Sequence, residues 1–399
     1  MFSAQKDCHP SNRNIYELNM RVALIHDWLI GMRGGEKCLE VFCELFPDAD
    51  LYTLVYDPDG VSPPIRQMHV KTSWIDRLPG AQRHFRYLLP LFPHAVEHFE
   101  LSDYDLILSS SHCVAKGILP HRALHIAYVH TPMRYVWDLR DAYLSGGTSL
   151  IARAGLSLSR RYLQRWDLRS SLRVDEFLAN SNNVAAKIKS LYGRSATVIY
   201  PPVDMEKFHL RDEIQPYYLI VSALVPYKRI DLAIDAFNAI NLPLKIAGDG
   251  PLRRILQRRA RSNIEFLGFV DDAPLAELYS RCQALIFPGE EDFGIVPLEA
   301  QASGRPVIAY GKGGALETVL PLGSELGPPT GIFFREQAVE SLMAAVRAFE
   351  QNRQKFVPTG IRQQACRFSR DRFKAQISDY IEARLRERGT EKQGDAQAL

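Results

Sequence analysis

Two acidic residues, Glu291 and Glu299, stand with seven residues between them, and the stretch they bracket reads Asp-Phe-Gly-Ile-Val-Pro-Leu. Pro297 suits the first turn of a helix, where its missing N–H costs nothing. The backbone N–H groups of Phe293, Gly294, Ile295 and Val296 would then lack intrahelical partners and point outward with the positive end of the helix dipole. Such a turn holds phosphate, and carboxylates at its edge can accept hydrogen bonds from sugar hydroxyls. The plainer reading is two acids at a helix N-terminus, where acids are favoured anyway.

Other positions could share that chemistry. Lys228, in Val-Pro-Tyr-Lys-Arg-Ile-Asp, stands just ahead of a helical pattern. A fixed cation there would stabilise the charge that develops on a departing diphosphate. The alternative is a surface lysine facing solvent. His130 ends the apolar run Leu124–Val129 and precedes Thr131-Pro132. A histidine so placed is often a hydrogen-bonded structural residue, and is also the side chain suited to a proton or a sugar hydroxyl at neutral pH. His26 and His112 fall near strand ends too and rank behind it. Gly34 and Gly35 follow the first apolar run, Arg21–His26, in a loop that is not the G-x-G-x-x-G fingerprint and could serve only a tight turn. No Asp-x-Asp cluster suited to a metal-bound nucleotide sugar is present, and a lysine can stand in for the metal as counter-charge.

Taken together, Glu-x-Phe-Gly-Ile-x-Pro-x-Glu at 291–299, the glycines at 311, 313 and 314, and Glu317 closely resemble the retaining glycosyltransferases of family 4, mannosyl- and glucosyltransferases of GT-B architecture. The resemblance spans about Arg21 to Phe373 and is strongest in the second half. It implies Glu291 and His130 beside the transferred sugar, Glu299 on the ribose, and the Phe293–Val296 backbone with Lys228 around the diphosphate. It also places Gly34, Gly35, Gly248 and Gly250 near the donor. The family usually carries an arginine five residues before this lysine, where this chain has Ala223. Arg229 is a substitute cation or a solvent-facing residue. The implied mechanism is departure and attack on one face of the sugar, the leaving diphosphate accepting the acceptor's proton, with no cofactor and no metal. The His-Asp-Trp-Leu and Val-Pro-Tyr-Lys-Arg segments look most like bacterial mannosyltransferases of surface-polysaccharide assembly. That makes GDP-mannose the preferred donor and a saccharide or lipid-linked saccharide the acceptor. A nucleotide-sugar epimerase of the same fold and a catalytically silent binding subunit are the rivals, and intact Lys228, Glu291 and Glu299 speak against the second.

Positioning these residues takes repeated strand–helix units, so the expected class is α/β with two Rossmann-like doubly wound domains facing a cleft. Apolar runs at Arg21–His26, Ala49–Tyr56, Asp105–Ser109, Leu124–Val129, Phe177–Ser181 and Ala196–Tyr200 read as strands of the first domain, residues 1–205, after a loose lead-in to about residue 19. Pro201-Pro202-Val203-Asp204 opens a hinge, with a polar linker to about Gln215. The second domain, 206–375, restarts the alternation at Tyr217–Leu224, Leu244–Ala247, Ile264–Val270, Ala284–Phe287 and Arg305–Tyr310. Residues 376–399 form a helix and polar tail, the helix crossing back to the first domain as the resemblance implies.

A chain of 399 residues is long enough for two domains. A net charge of +3 argues against a dedicated nucleic-acid binder. Cys8, Cys38, Cys43, Cys113, Cys282 and Cys366 form no C-x-x-C pair, which suits a reducing compartment with mostly buried thiols. The polar N-terminus is no signal peptide and no run is long enough to span a bilayer, so a cytoplasmic placement is expected. Two stretches leave room for peripheral contact with the inner membrane face. Residues 150–175 carry six arginines against two acids, either a solvated helix face or a basic surface for anionic lipid. Phe85 to Phe99 reads as helices packed on the first sheet, or as a greasy face touching lipid.

Overall fold

The structure, a computed structural model, describes residues 20–119, 122–137 and 150–397, with side chains over 20–119, 122–137 and 159–389. The N-terminal lead-in lies outside the described residues. Two parallel sheets carry the architecture. The first contains β1 (Val22–His26), β2 (Asp50–Thr53), β3 (His69–Thr72), β4 (Leu106–Ser111), β5 (Leu124–Val129), β6 (Glu176–Ala179) and β7 (Thr197–Val198), in the order β3-β2-β1-β4-β5-β6-β7. The second contains β8 (Tyr218–Val221), β9 (Leu244–Ala247), β10 (Ile264–Gly268), β11 (Leu285–Phe287), β12 (Val307–Tyr310) and β13 (Gly331–Phe334), in the order β10-β9-β8-β11-β12-β13. Every residue of β1, β4 and β5 is buried, as expected for strands covered by helices on both faces.

Each sheet reverses its winding once, between β1 and β4 in the first and between β8 and β11 in the second. Open α/β sheets bind ligands at the carboxyl ends of strands at such a reversal. These ends carry His26 and Ser110 on one side, and the segments after Val221 and Phe287 on the other. The site was therefore placed by topology before any side chain is considered.

The helices that matter are α1 (Gly34–Leu45), α2 (Leu150–Ser171), α3 (Asn182–Tyr192), α4 (Ile230–Ile240), α5 (Ile295–Ala302), α6 (Val339–Asn352) and α7 (Arg370–Gln397). Helix α1 buries Leu39, Phe42 and Cys43 in a core that also takes Phe373, Ile377 and Ile381 of α7. The Phe373 ring stacks on Phe42 at 5.8 Å and meets Tyr128 edge-on at 5.6 Å. The last helix thus belongs to the first domain's core from its first turn. Where the chain crosses between domains, Val203 N–H donates to the Phe368 carbonyl at 2.8 Å, so the outgoing and returning strands lie side by side. The polar stretch after it is no loose linker, because Val203 and Phe208 are buried in the second domain's core. Arg362 caps the carbonyls of Met205 and Phe208.

Several boundaries differ from the sequence reading. The run Ala49–Tyr56 is a strand only over Asp50–Thr53, because Leu54 leaves the ladder to donate to the Asp27 carbonyl. β3 (His-Val-Lys-Thr) and β13 (Gly-Ile-Phe-Phe) were not anticipated, and both are edge strands without a long apolar run. The Phe85–Phe99 segment is a 3₁₀ stretch followed by a short α-helix, burying Phe85, Leu89, Phe92 and Phe99 and leaving Tyr87 and Leu91 exposed.

Candidate active site

The acidic loop after β11 is held rigidly by its own backbone. Gly294, at φ 81°, is the N-terminal cap of α5. The Gly314 N–H donates to the Glu291 carbonyl at 2.8 Å. A methyl group on Gly313 would come within 2.2 Å of that same carbonyl, so the two loops touch backbone to backbone. Phe293 turns its ring inward, stacked on Tyr200 at 5.8 Å. Its side chain is structural, and only its backbone can serve a ligand.

Lys228 and Glu291 form an ion pair, 63 residues apart in sequence, at the mouth of this loop. Glu299 is buried on α5 and already occupied: Lys37 of α1 donates to Oε1 at 2.6 Å from across the cleft, and the Tyr279 hydroxyl to Oε2 at 2.8 Å. Burial opposes the charge on Lys37, but Glu299 outweighs it and raises the ammonium's pKa above the ordinary lysine value. Arg229 lies apart from this cluster. It takes a left-handed backbone at φ 52° ahead of α4 and turns to Asp231 and Gln337. Gly248, at φ 131°, and Gly250 pack against the Ser222 and Leu224 backbones, where a side chain would not fit.

On the first domain His130 follows β5, partly exposed, its Nε2 2.8 Å from Ser110 Oγ. Gly35 lies against it, and a methyl group there would sit 3.5 Å from His130 Nε2 and from His26 Cε1. A methyl group on Gly34 would meet no other part of the fold within 4 Å. Burial, with His112 and His26 nearby, holds the pKa of His130 well below the ordinary histidine value. His112 is lowered too, first by burial, although Asp27 at 3.1 Å opposes the shift. Asp27 is wholly buried and accepts the backbone N–H groups of His112, Cys113, Val114 and Ala115. It ties the β4 loop to the end of β1, a structural task.

Some contributors had no signal in the sequence. Asp292 lies inside the recognised motif, yet its part is visible only in three dimensions. Arg134 donates to Oδ2 at 2.8 Å, and Asn183 and Lys187 reach Oδ1 at 3.1 and 2.9 Å, all from the first domain. Burial alone would raise the Asp292 pKa, but Arg134 and Lys187 hold it below the ordinary range. Glu317 accepts the first N–H groups of α3, from Asn182 and Asn183 at 2.8 and 3.0 Å. With Lys37–Glu299, these contacts clamp the two strand-end surfaces face to face. Asp-x-Asp spacings do occur at 48–50, 57–59 and 103–105, but Asp50 pairs with Lys71 and Tyr104, and Asp105 caps the Arg21 N–H.

The basic stretch divides. Helix α2 buries Leu163, Trp166 and Asp167, the last paired with Lys116 at 2.8 Å. Arg160 donates to the Val136 carbonyl and Arg173 pairs with Glu97, so neither is a free surface charge. Arg161, Arg165 and Arg169 are exposed, beside exposed Leu168 and Leu172. The side chain of Arg153 lies outside the described residues.

A cleft between two doubly wound domains, with a helix N-terminus, a lysine–glutamate pair and a histidine at its walls, is the GT-B arrangement. Comparison with known proteins agrees. A family model described as Glycosyltransferase Family 4 matches residues 34–207, and one described as Glycosyl transferases group 1 matches 204–363. An uncharacterized glycosyltransferase of Methanocaldococcus jannaschii is 30% identical over 242 residues, 57% of this chain and 67% of that protein. O-antigen chain mannosyltransferase C of Escherichia coli is 30% identical over 34% of this chain and 42% of that enzyme. The GDP-mannose-dependent alpha-(1-6)-phosphatidylinositol dimannoside mannosyltransferase of Mycobacterium tuberculosis is 30% identical over 39% of this chain and 47% of that enzyme. The matches thus span two thirds of the archaeal protein and under half of either mannosyltransferase. Sucrose-phosphate synthase of Thermosynechococcus elongatus superposes with a TM-score of 0.69 at 17% identity, over 92% of this chain and 100% of that one. Anabaena HepE, solved with UDP and glucose, gives 0.65 at 17% identity, over 91% and 99%. The chain belongs to the family-4 glycosyltransferases, and its fold is GT-B.

Proposed function

We propose that the protein is a retaining, metal-independent glycosyltransferase that moves mannose from GDP-mannose to a saccharide or lipid-linked saccharide in surface-polysaccharide assembly. The observation that carries the reading is the Lys228–Glu291 pair beside the α5 N-terminus. A diphosphate arriving at that turn competes for the Lys228 ammonium, and a hydroxyl of the sugar competes for the released Glu291 carboxylate. Donor binding then replaces the Lys228–Glu291 pair by an ammonium–diphosphate pair and a hydroxyl–carboxylate hydrogen bond, and the cation sits where leaving-group charge accumulates. Glu299, with Lys37 and Tyr279 around it, offers the ribose an acceptor whose charge is fixed in place.

Mannose is the preferred sugar because mannosyltransferases recur among the relatives. Retention is proposed from the family pattern, and since no carboxylate is marked as a covalent nucleophile among the described residues, the proposed route is departure and attack on one face of the sugar. Among the described residues no helix is long and apolar enough to cross a membrane. A lipid-linked acceptor would be met through the exposed arginines of α2. The test is incubation with labelled GDP-mannose and UDP-sugars, with and without lipid-linked acceptor. Acceptor-dependent transfer supports the reading. Conversion of the donor sugar without acceptor indicates an epimerase, and binding without turnover a silent subunit.

A further inference from the structure

Beneath the Gly34–Gly35 turn, a buried chain of side chains leads from Glu36 to His130. Register places His26 of β1 beside Ser110 of β4. Ser110 Oγ stands 3.0 Å from His26 Nδ1 and 2.8 Å from His130 Nε2. A hydroxyl carries one proton, so Ser110 can donate to only one of these nitrogens and must accept an N–H from the other. The far end decides which. His26 Nε2 is buried without a hydrogen-bond partner, and the Glu36 Oε1 atom lies 3.6 Å away. A lone pair facing that carboxylate is repelled, whereas a proton facing it is attracted, and both effects are strengthened by burial. Glu36 is held in place, because its Oε2 accepts the Arg33 N–H at 3.0 Å at the start of α1.

We propose that Glu36, His26 and Ser110 form a directional hydrogen-bond relay that fixes the single proton of His130 on Nε2 and leaves Nδ1 as a bare acceptor for a donor-sugar hydroxyl. The proposal rests on reading the cleft as the donor site. Glu36 draws the His26 proton to Nε2, His26 Nδ1 accepts from Ser110, and the Ser110 oxygen accepts from His130 Nε2. The three are positioning residues, and no bond to substrate is asked of them. The neutral state that the relay needs at His130 agrees with the depressed pKa of that ring. An acceptor-only nitrogen selects a free hydroxyl over an ether or ester oxygen, which has no proton to give.

Two-bond proton–nitrogen spectra of the full-length protein labelled with ¹⁵N-histidine read the tautomers directly. The expected result is Nε2–H for both His26 and His130, each assigned by loss of its signals in a His→Gln variant. Glu36→Gln gives the sharper test. If its oxygen stays on the Arg33 N–H, its amide N–H₂ faces His26, reverses every bond in the chain, and moves the His130 proton to Nδ1. Ser110→Ala removes the coupling and should leave His130 a tautomer mixture. On transfer, either variant should lower kcat about tenfold, with nucleoside-diphosphate affinity unchanged. Nδ1–H in the wild-type His130, a doubly protonated His26, or a tautomer indifferent to both variants would overturn the relay. An inactive wild type with the expected tautomers would instead count against the glycosyltransferase reading and leave the relay standing.

Discussion

At the scale of single residues, the two motif glutamates sit in different circumstances and should fail differently. Glu299 is buried between Lys37 and Tyr279, whereas Glu291 pairs with Lys228 at the loop mouth. Glu299→Ala should therefore weaken nucleotide-sugar binding, by about tenfold for a lost charged hydrogen bond. Glu291→Ala should mainly slow transfer. Calorimetry on the first variant and turnover on the second check this, and unchanged donor affinity in Glu299→Ala removes the ribose assignment. The histidines add a pH dependence. His112 and His130 have folded pKa values below the ordinary value. The unfolded chain therefore binds more protons than the folded one as pH falls through about 6.5. Stability should drop across that window by up to about 1.4 kcal/mol per pH unit for each histidine. Thermal unfolding followed from about pH 7.5 to about pH 5 reads this, and a flat profile contradicts it.

Among elements, the loops after β8, β9 and β11 place the site, and their glycines are the constraint. A methyl group on Gly248 would lie 1.9 Å from the Ser222 carbonyl oxygen, at a φ that L-residues rarely adopt. Gly248→Ala should cost roughly 3 kcal/mol or more, read as a lowered urea midpoint. Gly35→Ala is the contrasting case, since its methyl meets only ordinary contacts at 3.5 Å. It should fold normally and lose turnover only if the methyl takes up space beside His130 that the proposed donor sugar occupies. Leu124–Val129 and Leu244–Ala247 coincide with β5 and β9 to the residue, because each is a short, mostly apolar run closed by His130 or by Gly248 and reads as a strand of a parallel sheet. The 291–299 motif located the acidic loop and the start of α5. Lys37, Arg134, Asp292 and Ser110 were illegible as site residues, since each acts on a partner far away in sequence and no local pattern marks it.

For the whole molecule, the domains are held face to face by contacts that converge on Asp292, Glu299 and Glu317, close to where the donor would sit. On the proposed reading, a donor entering the cleft would share or displace some of them, which would couple binding to domain opening through the same charges. A second surface of the first domain, on α2, bears on contact with a membrane. Arg161, Arg165 and Arg169 remain exposed on α2 beside Leu168 and Leu172. Each basic residue near an anionic surface contributes about 1 kcal/mol, and the attraction fades within a Debye length. Salt-sensitive sedimentation with anionic liposomes is expected, with little on neutral ones. Replacing those three arginines with Gln should reduce it and leave donor affinity intact. If the wild type ignores anionic liposomes at low salt, α2 presents only a solvated face.

The central claim is that a nucleoside diphosphate lodges between Lys228 and the Phe293–Val296 turn. Calorimetric titration of GDP and GMP into the wild type and Lys228→Ala tests it most directly. The wild type should prefer GDP by about tenfold or more, and the variant should lose most of that preference while still binding GMP. A wild type that binds neither GDP nor UDP, or a variant that keeps the full preference for the diphosphate, would contradict the account.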